Sequence, residues 1–175
     1  MKKKISIICL LLLAKMLLSQ DEKSFIRLVQ NASAIPQDTM AHYLPSYNMS
    51  DKDEFQGEGI SSVDTDLLLM NIVHFHKEGV REIFLVLDKY SSVVDALFFD
   101  RIDKKEPNLN KEIFQCNGIS NTIYSYSFEM KDGSALLSLD KSLKIISLEK
   151  WIMDENGCFI LQRKENPSSY YSPCD

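Results

Sequence analysis

Residues 123–130 alternate without a break: Tyr124, Tyr126, Phe128 and Met130 point one way, and Ser125, Ser127 and Glu129 the other. A period of two belongs to a strand with one face against a core. Asp132-Gly133 follows, a pair that makes a tight hairpin turn, and leads into Ala135–Leu139. Asn156-Gly157 repeats the device between Leu143–Met153 and Cys158–Gln162. Strands joined by two-residue turns must be antiparallel neighbours, whereas parallel pairing needs a long crossover. The chain is therefore expected to be mainly β, an antiparallel meander of consecutive hairpins.

The same texture extends upstream. Ile83–Leu87 and Val93–Phe99 are short apolar runs rich in branched and aromatic residues, parted by the polar Tyr90-Ser91-Ser92. Residues 62–78 admit two readings. As a helix, Ser61 and Asp64 would form a capping box and Gly79 a stop. As a strand, Glu78-Gly79 would turn into Val80–Leu87. Ile72, Val73, Phe75 and His76 select the strand. About seven strands are expected between residues 66 and 163, with residues 103–112 as a charged connector.

An N-terminal helix is expected over Asp21–Ala34 and should pack on the sheet. Phe25, Leu28 and Val29 share a helical face, Asp21 and Glu22 suit the helix dipole, and Pro36 ends the run. Residues 35–60 read as an irregular acidic loop with at most a short helical turn. Pro36, Pro45, Gly57 and Gly59 punctuate it, and Asp51, Asp53, Glu54 and Glu58 charge it.

Residues 1–19 read as a secretory signal peptide. Lys2, Lys3 and Lys4 precede an apolar run from Ile5 to Leu18, and polar Ser19 and Gln20 close it. The run falls short of the roughly 18–20 residues that cross a bilayer, and Lys15 interrupts it. Cys9 lies inside the run rather than after it, which argues against a lipid anchor. The Leu17-Leu18-Ser19-Gln20 boundary resembles export signals of Bacteroidota-type bacteria, and that resemblance covers the leader alone. The expectation is one exported domain over residues 20–175, in the periplasm, the cell envelope or outside the cell, with no stable membrane insertion. The leader takes four of the 20 Lys and Arg with it, leaving 16 against 25 Asp and Glu, a formal charge of −9. Such a chain repels phosphate backbones, so nucleic acid is not an expected partner.

Cys116, Cys158 and Cys174 remain in the exported part, where thiols tend to pair. A Cys158–Cys174 bridge would tie down the polar tail, a loop closure worth roughly 3 kcal/mol in the chain-entropy model. Three buried thiols are the alternative. No Cys-x-x-Cys occurs, so a thioredoxin-like or zinc-ribbon site is not supported.

His74-Phe75-His76 is the weak site candidate. On a strand the two imidazoles project to one side, where Asp64, Asp66 or Glu78 could add an oxygen ligand. Without a third ligand at a standard spacing, the bland reading is two histidines near a strand end. Asp51 onwards fails as a calcium loop, because Gln56 and Ser62 stand where glycine and glutamate are required. Asp88 and Asp95 flank a turn and read as turn residues before a catalytic pair. The Tyr124, Tyr126, Phe128 stripe and Trp151 read as core before a stacking platform. There is no Gly-x-Ser-x-Gly, phosphate loop or dinucleotide fingerprint, and no cofactor is expected. The functional expectation is a small exported non-enzymatic binding protein with a protein partner, of the inhibitor or immunity type. The alternative is an exported hydrolase or metal-dependent enzyme using His74 and His76. Acidic side chains gathered near those histidines would favour the enzyme; an exposed patch without a cleft would favour the binder.

Overall fold

The computed structural model describes residues 24–103, 109–115, 121–129 and 144–166. A helix α1 covers residues 24–30. Strand β1 (Ala34–Ile35), helix α2 (Gln37–Tyr43), β2 (Glu54–Asp64), β3 (Leu67–His76), β4 (Gly79–Asp88) and β5 (Val93–Asp103) follow. Then come β6 (Leu109–Phe114), β7 (Thr122–Glu129), β8 (Lys144–Met153) and β9 (Phe159–Glu165). The strands lie in sequence order, each antiparallel to the next. Among the described residues β5 and β6 join through one residue pair, Ile102 with Asn110. The protein is thus mainly β, a five-strand meander and a four-strand meander with two helices.

Both helices cover one face of β1–β5. Phe25 and Val29 of α1 and Met40 and Tyr43 of α2 meet Phe55, Met70, Ile72, Ile83, Leu85 and Leu87. The rings of Phe25 and Tyr43 stack with centroids 4.1 Å apart. The opposite face carries Leu69, Phe84, Val86 and Phe99, which pack against Ile123 and Met153 of the second meander. β4 lies between β3 and β5, and its Ile83–Leu87 are buried on both faces. That is why its sequence is a continuous apolar run rather than an alternation. Full burial of each such side chain stabilises by roughly 1.5–3 kcal/mol.

Residues 62–78 are extended rather than helical, as expected, but not one strand: 62–64 end β2, Thr65 and Asp66 turn, and β3 runs to His76, which pairs with Gly79 across a turn on Lys77 and Glu78. The expected long loop is shorter than residues 35–60. It holds β1 and α2 at its start and ends at Glu54, where β2 begins despite its glycines. Gly57 is there for a packing reason: an added Cβ would sit 2.3 Å from the Cα of Val29, so only glycine lets α1 lie on β2. α1 also ends before Ala34. Ser33 N–H donates to Leu28 O and Ala32 N–H to Val29 O, with Ala32 at φ 50. This is the left-handed turn that closes many helices. The charged connector at 103–112 contains most of β6. The hairpin expected at Asn156-Gly157 is there, but its connection is the five residues 154–158 rather than two: Met153 pairs with Phe159, Asp154 Oδ1 accepts from the amides of Asn156 and Cys158, and Gly157 has φ 85.

The leader, the 132–133 turn, Ala135–Leu139, Cys116 and Cys174 lie outside the described residues. The expected Cys158–Cys174 bridge therefore lies there too; Cys158 itself is exposed in the 154–158 turn. Among the described residues no helix is long and apolar enough to cross a membrane.

Candidate functional site

Strand register sets the site. Phe55 pairs with His74, His74 with Arg81, and Arg81 with Asp100, one row across β2, β3, β4 and β5. Residues 44–53, which link α2 to β2, bring Tyr47 and Asp53 to this row. Tyr47 Oη lies 2.8 Å from His74 Nδ1 and accepts from Arg81 Nη1 at 3.0 Å. Arg81 Nε donates to Asp100 Oδ1 at 2.6 Å. On the other side of the imidazole, Asp53 Oδ2 stands 3.1 Å from His74 Nε2.

Because Arg81 can only donate, its bond to Tyr47 leaves the phenolic hydrogen for His74 Nδ1. That assigns the ring proton to Nε2, facing Asp53. One direction of donation then runs from Arg81 through Tyr47 to His74, whose Nε2 faces Asp53. The last contact is close enough for charge attraction but is not aligned as a hydrogen bond, and Nε2 has no other partner among the described residues. Asp53 Oδ2 accepts instead from the amide of Ser50, and Gln37 Nε2 donates to the carbonyls of Ser50 and Asp53.

The row is wrapped in aromatic rings. Phe55 stacks on His74 at 4.3 Å and 10°, and His76 stacks on it at 4.9 Å and 28°. Tyr47 lies parallel to Phe98 at 5.2 Å, with Arg81 over its ring at 5.7 Å. His74 is 2 % exposed and Asp53 7 %, whereas Arg81 and Asp100 reach solvent. Burial lowers the His74 pKa below its ordinary 6.5; Asp53 opposes this, and His76 and Arg81 reinforce it. Burial raises the Tyr47 pKa, with Arg81 opposing. At neutral pH the array is a neutral imidazole and a protonated phenol between two ionic ends.

His74 and His76 do share a face, as the strand reading expected. The oxygen partners expected for them are elsewhere: Asp66 pairs with Lys89, Asp64 accepts from its neighbour Thr65, and Glu78 is exposed in the turn. The carboxylate beside His74 is Asp53, which reads from the sequence as one acid in a solvated loop. Tyr47, Arg81 and Asp100 carry no local motif and come together only through the register. Among the described residues no group of three or more His, Cys, Asp and Glu side chains is arranged to hold a metal ion. Asp88 Oδ1 accepts from the amides of Tyr90 and Ser92, and Asp95 Oδ2 accepts from the Phe159 amide. Both are turn and strand fasteners. Tyr124, Tyr126 and Phe128 are buried, and Trp151 packs edge-on to Phe99 at 6.3 Å.

A second surface stands apart from this row. Residues 160–164 of β9 are exposed one after another on both faces, Ile160 at 53 % and Leu161 at 41 %. Among the described residues β9 has β8 as its sole strand neighbour. No protein-family model matches this chain, and neither a curated protein nor a solved structure matches it.

Proposed function

We propose that this chain is a small exported binding module that engages a protein partner and performs no reaction of its own. The observation that carries this reading is β9, a strand at the end of the sheet order with five consecutive exposed residues, two of them large and apolar. An extended partner segment added there would gain main-chain hydrogen bonds and meet side chains on both faces. Arg163 and Lys164 at the far end of the strand discourage two copies from pairing edge to edge. The acidic balance of the exported part speeds encounter with a basic partner. Placing the protein in the envelope or medium rests on the lysine-led apolar leader. Intact mass of the exported protein should show a new N-terminus within a few residues of Gln20.

The test is capture from the native envelope fraction with the exported domain. Ile160→Glu with Leu161→Glu should leave the melting midpoint unchanged, because neither side chain is buried, and should abolish capture. Equal capture by the double variant would remove β9 from the reading.

The enzyme reading has one observation in its favour, the carboxylate of Asp53 against His74. Two features weigh against it. A tyrosine with a raised pKa is a poor nucleophile, and its hydroxyl is already held by Arg81 and His74. A stoichiometric zinc site in calorimetry that disappears in His74→Ala would move the conclusion to the metal-dependent enzyme.

A further inference from the structure

Besides the apolar packing of Leu44 and Met49 on the core, the segment between α2 and β2 has two polar fastenings, and the two answer oppositely to a proton. At one end, Tyr47 donates to the neutral His74 Nδ1, accepts from Arg81 and stacks on Phe98. At the other, Asp53 faces His74 Nε2 and is braced by the Ser50 amide and by Gln37. We infer that residues 44–53 form an acid-released strap, which opens at Tyr47 and hinges at Asp53 when His74 takes a proton.

A proton on Nδ1 removes the acceptor that Tyr47 uses. The phenolic oxygen then faces two donors, Arg81 and His74, and its own hydrogen has no partner in the row. The new charge lies beside Arg81 of β4 and His76 of β3, both of which resist it. From the strap itself Asp53 attracts it, and Asp100 of β5 is already engaged by Arg81. Phe55 and Phe98 contribute no charge. Protonation therefore loosens the Tyr47 end while tightening the Asp53 end. Tyr47 N–H bonds to Leu44 O, and Asp53 N–H to Ser50 O, so each end carries a reporting amide. Opening would bare the face of Phe98 that Tyr47 covers. This device is independent of β9 and of the identity of any partner.

The experiment is amide hydrogen exchange on the exported domain at pH 7.5 and pH 5, expressed as protection factors so that intrinsic exchange is removed. The Tyr47 amide should lose about tenfold or more of its protection at pH 5, while the Asp53 amide and those of β3 and β4 keep theirs. In Tyr47→Phe, which keeps the ring stack and deletes the hydroxyl, the amide at position 47 should be weakly protected at both pH values. His76→Gln should retain the response. Unchanged protection at Tyr47, an equal loss across β3 and β4, a wild-type response in Tyr47→Phe, or a response abolished by His76→Gln would each overturn the strap. Ring carbon shifts of His74 followed by NMR must move over the same pH interval as the Tyr47 amide; movement of the amide without them would also overturn it.

Discussion

At the scale of single residues, two positions hold more than their own contacts. Gly57 is where the backbone of α1 rests on β2. A methyl there would come within 2.9 Å of three backbone atoms of residues 28 and 29. Backbone cannot rotate away as a side chain can, so Gly57→Ala should destabilise by about 2–3 kcal/mol, near the upper end for overpacking. Urea midpoints would measure it, and a change under about 0.5 kcal/mol would mean that α1 is free to lift. His74 holds the other position. Its folded pKa is lowered chiefly by burial, so between 6.5 and that lower value the unfolded chain binds more protons than the folded one. Stability should therefore fall as pH drops through this window. Glu82 works in the opposite sense. Burial raises its pKa above 4.5, against the bond from Asn71 and the charge of Arg101, so it gains stability as pH falls towards 4.5. The two are separable. Glu82→Gln keeps an acceptor for Asn71 and should leave a steeper loss of stability on acidification than wild type, read from denaturation midpoints between pH 7 and 5. A shallower slope in the variant would put the sign on the wrong residue.

At the scale of elements, the strands whose residues announced their own period or turn were legible. β7, β8, β9 and the β3–β4–β5 hairpins follow from alternation, apolar runs and Asn156-Gly157. What the residues did not announce was register. A turn on Glu78-Gly79 would set Ile83 opposite His74, whereas the actual turn on Lys77-Glu78 sets Arg81 there. One residue of slip thus hides the whole row from His74 to Asp100. β2 was hidden for a different reason. Its glycines and acids have poor strand propensity, and it is tertiary cover from α1 and pairing with β3, broken by two register shifts, that hold it in the sheet. β7 corrects the simplest inference from alternation. Ser125 and Ser127 were expected on a solvent face, yet they are 1 % and 8 % exposed, and Ser125 Oγ has no hydrogen-bond partner among the described residues. An orphan buried hydroxyl costs free energy. Ser125→Ala should therefore be neutral or stabilising by up to about 1 kcal/mol, while Phe128→Ala should cost about 3–5 kcal/mol through the cavity it leaves. Thermal midpoints of the two variants should move apart, and a strongly destabilised Ser125→Ala would reveal a bond to that hydroxyl.

At the scale of the whole molecule, the question is what holds together two meanders that share a single ladder pair among the described residues. The chain links them at Ile102 and Asn110, and one ladder pair cannot transmit cooperativity. Side chains do so instead. Leu69, Phe84, Val86 and Phe99 from the first meander and Ile123 and Met153 from the second form one buried cluster, with Trp151 and Phe159 against it. Asp95 of β5 adds a bond to the Phe159 amide of β9, 64 residues away, fastening the last strand of one meander to the last strand of the other. If that cluster is the joint, neither half can lose its packing without exposing the apolar surface of the other, and unfolding should be a single transition. The chain supplies its own reporter, since Trp151 is the one tryptophan and lies edge-on to Phe99 across the joint. Far-ultraviolet circular dichroism, which follows the strands of both meanders, and Trp151 fluorescence, which follows the joint, should therefore melt together. Phe84→Ala should move both midpoints down by the same amount, for a cost of about 3–5 kcal/mol. Fluorescence that melts first, with the strand signal persisting, would mean that the meanders are separate folding units held side by side.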